Sequence, residues 1–227
     1  MYVWNFAPVL DNAGLLIAGF GNTLRLTGAA LACGLPVGLA LALARLSGVR
    51  SLSLPAGLVI EVFRTTPPLV QLFWFYFGLP VLFRVEMTPF AAAALTFTLQ
   101  SGAFFAEIFR AGIVSVERGQ WEAAGAIGMS RAQALRRVVL PQAVKRMFPA
   151  FMERSVELMK TTTLVATVSY ADLLYQANEL AQKTFRPLEV FTTVALVYFI
   201  AIGAVSAVAH AVERRLASSG EMAVARP

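Results

Sequence analysis

The stretch Leu24 to Ala44 is apolar at nearly every position, and Arg25, close to its start, is its only charged residue. At about 1.5 Å per residue, a helix of this length crosses roughly 30 Å of hydrocarbon. Hydrocarbon offers the backbone no water. A spanning segment therefore closes its own N–H and C=O groups, which a helix does within one piece of chain. Comparable stretches recur along the sequence, so the chain is expected to be an all-α integral membrane protein. Composition agrees, with 58% hydrophobic and 14% charged residues and a mean hydropathy of +0.68. A net charge of +6 then belongs to cationic loops; no basic stripe on a soluble domain supports a nucleic-acid partner.

Met1 to Asn22 mixes Trp4, Phe6, Pro8 and Asp11 with Gly14, Gly19 and Gly21 and reads as an interfacial lead-in. Its first ten residues have no Lys or Arg ahead of an apolar core, so no cleavable signal is expected. The first span is Leu24 to Ala44, with Arg25 snorkelling to the surface. The second runs from about Pro55 to Phe77, and Thr65-Thr66-Pro67-Pro68 must break it, under cover of protein or water. Glu61 and Arg64 share a helical face and read as a pair at the cytoplasmic boundary. The third span, Pro89 to about Val116, is longer than a bilayer needs and extends into the cytoplasm. The fourth is about Phe148 to Tyr170 and the fifth Glu189 to Val212, with an outer loop holding a short helix between them.

Basic residues cluster at 45–50, 110–146 and 214–215, so five spans put the N-terminus outside and the C-terminus in the cytoplasm. The polar tail beyond Arg215 is expected to be mobile. No internal repeat or linker divides the chain, which reads as one transmembrane domain over 1–227 with a core of about 22–216. Cys33 is the only cysteine and forms no internal disulfide, and His210 stands without clustered partners, a bystander near a helix end; no metal site is expected.

Gly119 to Pro141, GQWEAAGAIGMSRAQALRRVVLP, is the one sizeable polar island in the interior. Gln120 to Ile127 suits a short helix with Glu122 in its first turn, where a carboxylate complements the dipole, and Gly128 suits a left-handed stop. Ser130 and Gln133 make a capping-box pattern that starts a second helix, with Leu135, Val138 and Val139 on one side, ended by Leu140 and Pro141. A helix of about eight residues is marginal alone and needs a surface to dock on. Ala123, Ala124 and Ala126 leave its backbone thinly covered, which fits a groove on another protein; a helix resting on lipid is the alternative.

Glu122-Ala123-Ala124, Gly128 and Val138-Val139-Leu140-Pro141 resemble the EAA motif of importer permeases of the ATP-binding-cassette (ABC) class, with Val138 where Ile is usual. FRTTPPLVQLFWFYFGLP, Phe63 to Pro80, is similar to FRGTPLLVQLFxxYFGLP of the polar amino acid permeases, with Thr65 in place of Gly. GAFFAEIFRAGI, Gly102 to Ile113, is similar to their GAYxAEIxRGGI. The resemblance covers about Asn22 to Leu216. It implies a type I ABC importer permease fold of about five transmembrane helices in the bacterial inner membrane. It also implies that the island, 119–141, is a coupling helix docked on an ATP-hydrolysing subunit, with Gly119, Glu122, Ala123, Ala124, Gly128, Leu140 and Pro141 as the coupling residues. The implied partners are two ATPase subunits, a second permease copy or paralogue, and a periplasmic or extracellular amino-acid-binding protein. The implied function is amino acid import.

No GxxxxGK[ST] occurs, so ATP is expected to be used by the partner subunit and no cofactor to be bound by this chain. HExxH, GxSxG and CxxC are also missing, and no convergent catalytic set stands out. A self-sufficient secondary transporter or channel is the alternative, but only one clear helix break is present where such transporters show paired ones. Gly102 and Ala106 form a small-xxx-small pair for close helix packing. Thr96, Gln100 and Glu107 share roughly one face of the third span, and Gln100 and Lys160 both fall near the midplane by helical rise. Two readings are open there: Lys160 pairs with Glu157 or Glu107 to hold spans together, or Gln100 and Lys160 line the substrate path with Glu107 on the same face.

Overall fold

The computed structural model describes residues 2–221, and among them every regular element is helical. A short helix α1 (Ala7–Asp11) leads into α2 (Ala13–Leu46). Next come α3 (Arg50–Thr65), α4 (Pro68–Phe73), a π-helical turn Trp74–Gly78 and α5 (Leu79–Phe83). The central helix α6 (Pro89–Val114) precedes the short pieces α7 (Arg118–Ala126) and α8 (Arg131–Ala134). A π turn, Leu135–Val139, joins α8 to α9 (Leu140–Thr161), which tightens into a 3-10 stretch, Thr162–Val168. Finally α10 (Leu173–Thr184) packs across the end of the bundle away from α7 and α8, and α11 (Pro187–Glu221) closes the fold.

The scaffold is the α2–α6 pair, the most extensive helix contact. The inner face of α2 repeats small residues at helical spacing, Ala30, Gly34, Gly38 and Ala42, while Leu35, Leu39 and Leu43 point outward. Lipid gives apolar side chains no reason to hide, so close packing of small residues holds such helices together. A Cβ placed on Gly38 would come within 2.6 Å of the Phe105 Cβ and 2.8 Å of the Gly102 carbonyl oxygen. The expected small-residue seam at Gly102 and Ala106 is thus where the two backbones meet.

Three helices, α2, α6 and Pro187–Arg214 of α11, are long and apolar enough to cross a membrane, and α3 with α4–α5 qualifies as a pair bent by 107°. The bend lies at Thr66-Pro67, as the prolines require. The second span is therefore not one straight helix from Pro55 to Phe77. The fourth expected span lies in α9 and the 3-10 stretch, whose Glu153, Arg154, Glu157 and Lys160 keep it below that apolarity.

Several local expectations are corrected. The first spanning helix, α2, starts at Ala13, well before Leu24, so the second half of the expected lead-in is helical; Gly19 there lets α10 approach, since a Cβ on it would lie 2.9 Å from the Asp172 carbonyl oxygen. Pro141 does not end a helix but sits in the first turn of α9; the π turn before it, with Leu140 N–H bonded to the Leu135 carbonyl, takes up the missing donor. Glu122 falls in the second turn of α7, which begins at Arg118. Glu61 and Arg64 form no ion pair among the described residues. His210 is inside α11 and not near its end, with Nδ1 2.7 Å from the Ser206 carbonyl oxygen. That helix continues to Glu221, so the tail after Arg215 begins as helix; 222–227 lie outside the described residues.

Candidate coupling surface and transport path

The island folds into a hairpin fastened on its inner side. Gly128 takes φ 80°, its N–H bonds the Gly125 carbonyl at 2.9 Å and the Met129 N–H bonds the Ala124 carbonyl at 3.0 Å, a Schellman stop. The capping box then starts α8, with the Gln133 N–H donating to Ser130 Oγ (3.3 Å) and the Ser130 N–H to Gln133 Oε1 (2.9 Å). Trp121 and Leu135 pack on a buried cluster of Val116, Val139, Ala143 and Met147. Two polar ties join the hairpin region to its neighbours: Gln142 Nε2 donates to Gln120 Oε1 at 3.2 Å, and the Arg146 guanidinium donates to the Ser115 carbonyl at the end of α6.

The expected coupling residues divide by face. Ala124 is buried against the body, whereas Gly119, Glu122, Ala123 and Gly128 are exposed, as are Leu140 and Pro141 after the π turn. Ile127, 74% exposed, stands at the tip without cover. Between α7 and α8 lies an open groove of about 600 Å³ lined by Trp121, Glu122, Gly125, Met129, Arg131 and Leu135.

The three expected path residues do not converge in this conformation. Gln100 is buried, and its Oε1 accepts from Arg154 Nη2 at 3.2 Å. Glu107, two turns along the same helix, is bound by Arg110 instead. Lys160 is exposed on α9 and forms no ion pair among the described residues, so the bridge to Glu157 or Glu107 is not made. It lines an open cleft of about 460 Å³ between α9 and α11 with Glu153, Glu157, His210 and Glu213. Sequence reasoning missed Arg154, which is 5% exposed, donates to Glu157 Oε2 at 2.8 Å and lies 3.6 Å from the centre of the Phe104 ring. Its signal was available: an arginine one turn before Glu157, inside the expected fourth span.

The family model described as binding-protein-dependent transport system inner membrane component matches residues 34–218. The chain belongs to that family. It is 35% identical to the probable amino-acid ABC transporter permease protein YckA of Bacillus subtilis (strain 168), over 91% of each chain. To the glutamine transport system permease protein GlnP of Escherichia coli (strain K12) it is 37% identical, over 89% of this chain and 93% of that one. A crystal structure of an amino acid ABC transporter with histidines superposes with a TM-score of 0.90 at 36% identity, covering 94% of this chain and 100% of that chain. The inward-facing MetNI methionine ABC transporter superposes at 0.75 with 22% identity over 91% and 98%, a likeness of fold. This is a multi-pass inner-membrane permease subunit with the type I ABC importer fold.

Two further polar groups of the permease hold its helix breaks. Gln71, buried in α4, turns back across the bend and shares its Nε2 hydrogens among the Phe63 carbonyl (3.2 Å), the Thr66 carbonyl (3.1 Å) and the Thr66 hydroxyl (2.6 Å). These are acceptors that the break frees, and in a membrane an unmet one costs several kcal/mol, on the order of its transfer penalty. At the outer end Asp172 caps α10, its Oδ1 accepting from the Tyr175 N–H at 2.8 Å, while Oδ2 has no partner. Burial pushes its carboxyl up to about 6, against the lowering effect of the backbone N–H groups around it.

Proposed function

We propose that the permease moves amino acids inward, receiving them from a periplasmic or extracellular binding protein, while separate ATPase subunits docked on its cytoplasmic hairpin hydrolyse ATP. The observation that carries the proposal is the two-faced hairpin. A helix lying on lipid would turn its large apolar residues outward; here Trp121 and Ala124 serve as the attachment, Ile127 at the tip is the exposed exception, and Glu122 and Arg131 border an open groove. That arrangement suits a protein surface. The amino acid class rests on the relatives: YckA is a probable amino-acid permease, GlnP a glutamine permease, and the 36%-identical structure an amino acid transporter.

Two permeases, either two copies of this chain or one with a paralogue, assemble with two ATPase subunits. The N-terminus is outside and the C-terminus cytoplasmic. ATP closing the ATPase pair draws the two hairpins together. The Gln142–Gln120 and Arg146–Ser115 ties pass that motion to α6 and α9, whose contact at Gln100 and Arg154 must then shift. ATP stays with the partner, and this chain binds no cofactor of its own. Gln100, Glu107 and Lys160 border the path, and Lys160 offers a donor to the substrate from the open cleft.

Co-purification from the native host, with every subunit and any bound amino acid identified by mass spectrometry, tests the assembly. Reconstituted uptake tests the path: Lys160→Met and Gln100→Leu are expected to assemble and hydrolyse ATP while uptake falls or its preference changes. Unchanged uptake in both would remove these residues from the path.

A further inference from the structure

Two guanidinium groups from different helices converge on one aromatic ring in the interior of the permease. Arg154 of α9 lies 3.6 Å from the Phe104 ring centre and Arg64, in the last turn of α3 before the bend, lies 5.5 Å from it. Such stacking orients a guanidinium and leaves its N–H edge free for a planar acceptor. The two cations differ in what they have left to offer. Arg154 is buried and committed to Gln100 and Glu157, and its Nε has no acceptor. Arg64 is exposed and makes no hydrogen bond or ion pair among the described residues, and Phe104 between them is partly open.

The neighbouring charges are already matched. Arg154 is paired with Glu157, whose side chain is 60% exposed, and Arg110 with Glu107, one turn along α6 from the ring. Arg64 is the arginine of this group that has no ion-pair partner among the described residues, and Glu61, one turn before it, is exposed and makes none either. An arginine fifteen residues into α3, about 21 Å along its axis, is well inside a bilayer if that helix starts at the cytoplasmic surface. Cations at such depth face a partner or water, and a guanidinium left without an ion-pair partner there is complementary to an anion.

We propose that Arg64, Phe104 and Arg154 form a carboxylate subsite on the transport path, in which the Arg64 fork takes the α-carboxylate of the amino acid. Arg154 is a positioning residue: it supports the ring and the positive potential from behind and joins the subsite to Gln100. The proposal rests on the amino acid reading above and deepens it, since it requires a free α-carboxylate in every substrate. Amino acid amides and esters keep the ammonium and side chain but leave the Arg64 fork without its bidentate acceptor.

The test uses the full permease–ATPase complex in lipid nanodiscs without the binding protein, so that the binding protein's own selectivity is absent. Equilibrium binding of labelled L-glutamine is measured with L-glutaminamide as competitor. The unmodified complex is expected to favour glutamine at least about tenfold, the scale of one charge-assisted hydrogen bond. Arg64→Gln is expected to lose about tenfold in glutamine affinity and most of that preference, with assembly and basal ATP hydrolysis unchanged. Arg64→Lys recovers part of the affinity, and Arg25→Gln, an exposed arginine of α2 outside the subsite, changes neither. Arg64→Gln binding glutamine as the unmodified complex does would overturn the subsite. Its failure to assemble would also overturn it, by making Arg64 an interface cation between permeases. If the unmodified complex binds no member of a mixture of the standard amino acids, the amino acid reading itself fails and the subsite falls with it.

Discussion

Gly128 is a single residue on which the hairpin turns. At φ 80° any side chain is strained, by about 1 kcal/mol or more, although the space around it is open. Gly128→Ala should therefore loosen the hairpin without a clash, and Gly128→Asp adds a charge beside the docking groove. Both are expected to insert and express normally, with uptake lost in the aspartate variant while ATP hydrolysis continues; normal uptake by Gly128→Asp would remove this stop from coupling. Asp172 gives a pH dependence with a definite sign. Its carboxyl titrates near 3.8 when unfolded and at about 6 when buried, so the folded state holds the extra proton between those values. Stability of the α10 end should fall as pH rises from about 4 to about 6 and level off above. Asp172→Asn keeps an oxygen for the Tyr175 N–H and removes the charge, so its thermal unfolding midpoint in detergent should lose that slope. A slope that survives in the variant would assign the titration elsewhere.

At the scale of the element, what was legible in the sequence was local. The break at Pro67, the capping box at Ser130 and the left-handed glycine at 128 are set by a few adjacent residues whose backbone preferences are strong, and all three stand in the structure. What was not legible depended on another helix. Gly19 reads as part of a polar-apolar lead-in until α10 is laid against it, and Pro141 reads as a stop until a π turn supplies the spacing it needs. The depth of Gln100 and Lys160 followed from helical rise, but rise does not say which way a side chain faces: one points to Arg154 and the other to an open cleft. The α2–α6 seam allows a direct comparison on one helix. Gly38→Ala forces a Cβ against the Gly102 carbonyl and should cost about 1–3 kcal/mol by overpacking. Gly21→Ala, with nothing within 4 Å, should be neutral or stabilising by up to about 1 kcal/mol through helix propensity. Thermal unfolding in detergent measures both, and equal midpoints would mean that the seam is looser than the structure has it.

For the whole molecule, loop charge predicts the number of crossings once the helices are known. Arg45 and Arg50 close α2, and Arg110, Arg118, Lys145 and Arg146 surround the hairpin, so positive-inside bias puts the ends of α2 and α6 on the same face. Because α6 crosses alone, the bent pair α3 with α4–α5 has to carry the chain to the opposite face before Pro89. The same step applies after the hairpin: if Arg214 belongs with the cytoplasmic cations and α11 crosses, α9 should cross too despite its charges, which would then face protein or water rather than lipid. Five crossings are the expected count. Single cysteines introduced after Cys33→Ser test each step with a membrane-impermeant maleimide. Glu86→Cys, in the exposed turn before α6, and Lys183→Cys, exposed near the end of α10, should label from outside in intact cells. Gly119→Cys, exposed on the hairpin, should label only after the membrane is opened. If Glu86→Cys is protected while Gly119→Cys labels in intact cells, the bent pair is re-entrant and returns to the cytoplasmic face before α6 crosses; if Lys183→Cys is the protected one, α9 does not cross.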